Sequence, residues 1–266
     1  MKERKGARSI KDIPKDILNS LNRGELETVN LTEWLAVDQK ILLEHLLTEN
    51  NRKEYYSPLV ETINRLKKQT VNTVNEAIGT GILELSAKYN DQEIKSLMLK
   101  HPADLVRCWS AYTIGRNDHL TIEEIVEQIK ELAADKHFGV REISWMAVRP
   151  AIAKDLSKSL LILTNWTKST DDTIRRFASE STRPRGVWCS HIEALKQNPE
   201  LGLTILEPLR SDPSKYVRDS VGNWLNDASK SQPLLVKNIC ERWISESPVK
   251  ETEYIVKRAL RTIEKK

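Results

Sequence analysis

Glycine, phenylalanine and cysteine are scarce in this chain of 266 residues, which holds nine, two and three of them. So few glycines, with no alternating apolar runs between turn dipeptides, argue against a strand-rich fold. The cysteines, Cys108, Cys189 and Cys240, are odd in number and far apart, so neither a disulfide framework nor a metal site is expected. No apolar run approaches the roughly 18 residues that suggest a membrane span. The polar start Met1-Lys2-Glu3-Arg4-Lys5 is unlike a secretory signal, so a cytoplasmic, reducing compartment is expected. Charge of one sign is lacking too: 42 basic against 38 acidic residues leave a net +4. Any polyanion site must then come from local clusters of Lys and Arg. The absence of a phosphate-cradling glycine loop, a nucleophile elbow and a metal constellation argues against most hydrolases and transferases, and no cofactor is expected.

What the chain does have is a recurring phrase: an acidic residue, a short spacer, then a β-branched residue followed by a basic one. It reads Asp104-Leu105-Val106-Arg107, Asp135 through Val140-Arg141, and Asp171-Asp172-Thr173-Ile174-Arg175. It returns as Asp212 through Val217-Arg218 and, faintly, as Glu251 through Val256-Lys257. The apolar-basic pairs begin at 106, 140, 174, 217 and 256, with steps of 34, 34, 43 and 39. A period in this range with helical patterning predicts stacked helix pairs. The fold class is therefore all-α, an α-solenoid of HEAT-like repeats forming one curved domain with a concave face. Residues 1–12 are expected to be a flexible basic arm and 13–266 the repeat domain, with regular pairs from about residue 92. Gly79 and Gly81 should mark a close helix contact or a break. The prolines of His101-Pro102, Arg149-Pro150, Asp212-Pro213 and Gln232-Pro233 should mark helix boundaries. Each repeat Asp suits the first turn of a helix. It could also pair with an Arg in a ladder of salt bridges between repeats.

One segment exceeds what stacking requires: Arg175-Arg176-Phe177-Ala178-Ser179-Glu180-Ser181-Thr182-Arg183-Pro184-Arg185-Gly186-Val187-Trp188. Arg176 and Glu180 are four apart and share a helix face. Arg183, Arg185 and Trp188 follow in a Pro/Gly-containing loop, and Arg with Trp suits a phosphate contact beside a stacking platform. The next repeat adds Asn223, Asn226, Asp227 and Lys230 near a helix end, and the preceding one adds Glu142, Trp145 and Arg149 along a helix.

That segment resembles the signature of the bacterial AlkC/AlkD DNA alkylation-repair family, closest to its AlkC branch. Tyr216 through Asp227 and the stretch from Leu21 to Thr28 extend the likeness over about residues 13–245. The resemblance implies a HEAT-like solenoid whose concave face holds alkylated DNA, and a glycosylase that removes cationic N3- or N7-alkylated purines. Some relatives carry an immunoglobulin-like C-terminal domain, which this chain is expected to lack. Glu180, Glu142 and Asp227 are then the candidate catalytic carboxylates, converging from successive repeats, and Trp188 and Trp145 would pack against the lesion. Arg141, Arg149, Arg175, Arg176, Arg183, Arg185, Arg218 and Lys230 would contact DNA. In the AlkC pattern a catalytic glutamate stands just upstream of a phrase matched here by Ala147-Val148-Arg149-Pro150, and Trp145 occupies its place. Glu142 lies one turn earlier. Two other readings stand beside the glycosylase: a catalytically silent protein for damaged or branched DNA, and a protein-binding HEAT scaffold. The expected partner is double-stranded DNA with alkylated bases, met by a monomer in the bacterial cytoplasm and nucleoid-associated when bound, with no membrane and no metal involved.

Overall fold

In the computed structural model, which describes residues 4–264, the chain is all-α: no strand occurs among the described residues. The helices are α1 (Lys15–Asn22), α2 (Leu31–Ala36), α3 (Gln39–Glu49), α4 (Tyr56–Asn64), α5 (Val71–Lys88), α6 (Glu93–Leu99), α7 (Asp104–Gly115) and α8 (Ile122–Ala133). There follow α9 (Phe138–Lys154), α10 (Leu156–Trp166), α11 (Asp172–Ser181), α12 (Glu193–Gln197), α13 (Leu203–Leu206), α14 (Lys215–Ser229), α15 (Pro233–Glu246) and α16 (Lys250–Leu260). None is long and apolar enough to cross a membrane. Where one repeat domain is expected, contacts group the chain into two compact units: Met1–His119 with Asp135–Ala147, and Leu120–Ala134 with Val148–Lys266.

In the first unit α5 packs on α7. A Cβ at Gly79 would stand 2.5 Å from the Trp109 carbonyl oxygen, so the glycine is what permits that approach. Leu43, Leu46, Ile63, Ile78, Ile82 and Trp109 are fully buried there. The Trp109 indole N–H donates to Gln39 Oε1 and Asn75 Oδ1 at 2.9 and 3.0 Å, which satisfies a polar atom that burial would otherwise penalise. Met1 to Glu3 of the expected N-terminal arm lie outside the described residues. The rest is anchored: Arg4 forks onto Glu33 at 2.6 and 2.9 Å, and Asn30 Nδ2 donates to the Ala7 carbonyl at 2.9 Å.

In the second unit α11 packs on α14, and α14 on α16. Asp171 caps α11 by accepting from Thr173 N at 2.8 Å.

The recurring Asp–Arg phrase acts as a clamp within each unit. In the first, Arg107 Nε donates to Asp135 Oδ2 at 2.7 Å while its Nη1 donates to the His101 and Pro102 carbonyls at 2.7 and 2.9 Å. In the second, Arg175 Nε donates to Asp212 Oδ2 at 2.7 Å and its Nη1 to the Ser169 and Thr170 carbonyls at 2.9 and 3.0 Å. The other oxygen of each Asp accepts a backbone N–H two residues on, from His137 and Ser214. Arg141 and Arg218 close their preceding loops in the same way, on Asp135 with Lys136 and on Asp212 with Pro213. Loop carbonyls that helix geometry leaves unpaired thus find donors.

Pro150 departs from expectation. It sits inside α9, which runs on to Lys154. Proline removes one backbone donor and strains one turn, and α9 continues through it with the Pro150 ring exposed.

Candidate functional site

The distinctive segment runs from α11 into the loop before α12. Ile174, Phe177 and Ala178 turn into the core, and Trp166 meets Phe177 at 5.0 Å between ring centroids. This fixes the opposite face of α11, where Arg176 lies over the Tyr216 ring at 4.2 Å from its centroid and 3.7 Å from Glu180.

At the end of α11 three charged groups are buried together. Arg183 Nη1 donates to Glu180 Oε1 at 2.6 Å, and its Nε and Nη2 donate to Asp227 Oδ2 at 2.9 and 2.7 Å. Ser220 Oγ donates to the other Glu180 oxygen at 2.7 Å, and Lys230 Nζ, half in solvent, donates to Asp227 Oδ1 at 3.0 Å. Burial pushes the Glu180 carboxyl up, but Arg176 and Arg183 with the Ser220 bond outweigh it and hold it below its ordinary value. For Arg183 burial opposes the charge, and Glu180 with Asp227 restores it, leaving the guanidinium more basic than usual.

The loop beyond is built around Arg149. Its Nη1 donates to the Ser181 carbonyl at 2.7 Å, its Nε to the Ser190 carbonyl at 3.0 Å, and its Nη2 to the Arg183 carbonyl. A Cβ at Gly186 would stand 2.4 Å from Cys189 Sγ and 3.1 Å from Arg149 Cζ, so the glycine lets the loop cross this guanidinium without displacing either side chain. Burial pushes Arg149 below the usual arginine value and raises the Cys189 thiol. Pulled in at both ends, the loop turns Val187 and Trp188 outward. Trp188 is 77% exposed and adopts a φ of +56°, a conformation that costs a bulky residue about 1 kcal/mol or more. Arg185 donates to Ser231 Oγ at 2.8 Å through Nη2, and its buried Nε has no hydrogen-bond partner.

Glu180 and Asp227 therefore meet through Arg183, with Lys230 on Asp227 and Arg185 on Ser231 beside it. Glu142, half-buried, belongs to the first unit, where it accepts from Trp145 Nε1 at 2.9 Å. Four expectations are corrected. Trp145 is 1% exposed, a core residue whose N–H is satisfied within its own helix, so it presents no ring to a nucleotide. Arg149 is 2% exposed, sealed in with its guanidinium donating to three loop carbonyls, so it presents no donor to a phosphate outside. Arg175 is likewise committed to Asp212 and its loop, and Arg183, 6% exposed, to Glu180 and Asp227 rather than to DNA. The Ser220 bond to Glu180 was not anticipated. Its signal is a buried serine recurring two to four positions after each repeat arginine, at Ser110, Ser144, Ser179 and Ser220.

Residues 148–263 match a family described as DNA alkylation repair enzyme. An uncharacterized protein of Bacillus subtilis strain 168, YhaZ, is 41% identical over 140 residues, which is 53% of this chain and 38% of that protein. An alkylpurine DNA glycosylase, AlkC of Pseudomonas fluorescens, solved bound to DNA containing an abasic site analog, is similar with a TM-score of 0.67 and 21% identity. The match covers 98% of this chain and 66% of that one. AlkD2 of Streptococcus mutans is similar with a TM-score of 0.58 and 27% identity, over 79% of this chain and 97% of that one. The helical-repeat fold is shared, and the chain spans less than two thirds of YhaZ.

Proposed function

We propose that this chain, whose residues 148–263 match the model of a family described as DNA alkylation repair enzyme, is a glycosylase that hydrolyses the N-glycosidic bond of cationic N-alkylated purines in double-stranded DNA. The observation that carries the reading is Trp188, a large indole kept 77% exposed at positive φ by a loop clamped from within. Such a side chain gives folding nothing and costs backbone strain. It suits stacking on a base while nearby cations, Arg185 and Lys230, hold phosphates.

The chemistry fits ionised carboxylates. An N3-alkylated adenine already carries positive charge, so when the C1′–N9 bond breaks its electron pair neutralises the base and no acid is needed. The sugar is left as an oxocarbenium ion, which a carboxylate stabilises and water captures, losing a proton to a base. Glu180 is the first candidate because its neighbours keep it ionised. Asp227 and the half-buried Glu142 are the others. Neutral lesions such as uracil lack the internal charge and would stay in place. The protein would work as a monomer in the bacterial cytoplasm, on the nucleoid, without metal or cofactor.

A second reading, binding of damaged or branched DNA without excision, has one observation behind it. Trp145, where the resemblance puts a glutamate, is sealed in the core. The assay that separates the two is release of 3-methyladenine and 7-methylguanine from methylated DNA beside a uracil-containing control. Release of the methylpurines alone supports the glycosylase. Binding without release supports the silent protein.

A further inference from the structure

Gly222 and Asn223 on α14 both meet α16. A Cβ at Gly222 would stand 2.8 Å from Arg258 Cβ and 2.9 Å from its Cδ, so the missing side chain lets the arginine stem lie flat on the helix. The Arg258 head then reaches Asn223, where Nε donates to Oδ1 at 3.0 Å. Arg261 Nη1 donates to that same oxygen at 2.9 Å. Two guanidinium cations thus converge on one neutral acceptor. Elsewhere in the chain Arg107, Arg175 and Arg183 each have a carboxylate partner, and Arg149 is fully enclosed by three loop carbonyls. Arg261 has no ion pair among the described residues. The carboxylate nearest Arg258 is Asp219, at 3.4 Å, already engaged by Tyr254 Oη at 2.6 Å and Lys215 Nζ at 2.8 Å. Burial, Arg258 and Arg183 together push Arg261 below its usual value, against a smaller pull from Asp227. Both arginines keep solvent-facing surface.

We propose that Arg258 and Arg261, seated by Gly222 and oriented by Asn223, bind a phosphodiester of the DNA backbone. A phosphate monoanion supplies what the pair lacks: oxygens in several directions, able to accept from two planar donor forks at once and to relieve their mutual repulsion. Asn223 does not compete with it, because a neutral amide aligns the heads without neutralising them. The site rests on the DNA-repair reading and adds a backbone contact outside the segment from Arg175 to Trp188, independent of base chemistry.

The test is the salt dependence of binding to a labelled, undamaged duplex, for the wild type, Arg261→Gln, and the double variant R258Q/R261Q. Losing one phosphate contact should make the log-log slope shallower by about 0.9. Arg261→Gln removes only a half-buried head, so it keeps the test readable if the double variant unfolds, and its slope should also be shallower. Unchanged slopes in folded variants of a wild type that binds and excises overturn this site alone. So would loss of inorganic phosphate binding in the variants without a change in the DNA slope. A wild type that shows no salt-dependent binding to DNA overturns the functional reading together with the site.

Discussion

Asp227 accepts two guanidinium bonds from Arg183, at 2.9 Å from Nε and 2.7 Å from Nη2, although 44 positions separate them in the chain. The bond ties the end of α11 to α14, and Glu180 completes a buried cluster with one cation between two anions. Charge taken out of water costs several kcal/mol per ion unless partners are well placed, and here Arg183 is within direct hydrogen-bond distance of both carboxylates.

Removal of the central cation should therefore be costly. Arg183→Met leaves Glu180 and Asp227 buried with only Arg176, Ser220 and Lys230 beside them, and should lower the unfolding free energy by about 3–5 kcal/mol. Urea denaturation measures it, and a loss below about 1 kcal/mol would contradict the cluster's role.

The same cluster predicts an acid limb. Glu180 has a folded-state value below its unfolded one of 4.5, because Arg176 and Arg183 outweigh the burial that raises it. Its contribution is therefore complete above the unfolded value and is lost as pH falls through the folded one, where the unfolded chain binds more protons. Wild-type stability should fall across that window, and Glu180→Gln should fall less steeply. Parallel curves would contradict the assignment.

Trp188 separates function from folding. Trp188→Ala removes an exposed ring and should change stability by no more than ~0.5 kcal/mol. It should weaken binding of lesion-containing DNA by ~10-fold to ~100-fold, the range expected for one lost base-stacking contact. Equal affinity in the two proteins, measured by anisotropy, would contradict the proposed stacking.

Arg149 should act on the same loop from below. Arg149→Met leaves the carbonyls of Ser181, Arg183 and Ser190 without their donor. Limited proteolysis within residues 184–192 should accelerate, and excision should fall although the side chain is buried. Cleavage at the wild-type rate would show that the loop holds its shape without the clamp.

Much of this was legible in the sequence because helices carry their own period. The Asp–Arg phrase gave the repeat spacing and, at Arg107, the expected salt bridge to the next repeat's Asp, whereas Arg175, expected at DNA, pairs with Asp212. The run from Arg175 to Trp188 singled out the segment that holds the buried Arg183 cluster and the clamped loop. Spacing shows which side chains share a helix face but not whether that face meets solvent or another helix. For that reason Trp145 and Arg149, expected at DNA, lie in the core. Arg258 and Arg261 escaped notice because the last repeat's phrase is faint, and only a close approach at Gly222 brings them together. Pro150 misled because a helix can absorb one proline, which no local rule records.

Release of free 3-methyladenine from methylated duplex DNA, followed under single-turnover conditions for the wild type, Glu180→Gln and Glu142→Gln, decides whether the protein is a glycosylase and which carboxylate serves it. The wild type should release it, and Glu180→Gln should be slower by at least ~10²-fold, as expected for the loss of one stabilising group, with DNA affinity nearly unchanged. An undiminished rate in Glu180→Gln with loss in Glu142→Gln would move the chemistry to Glu142. No release by the wild type under conditions where it binds the DNA would contradict the glycosylase outright.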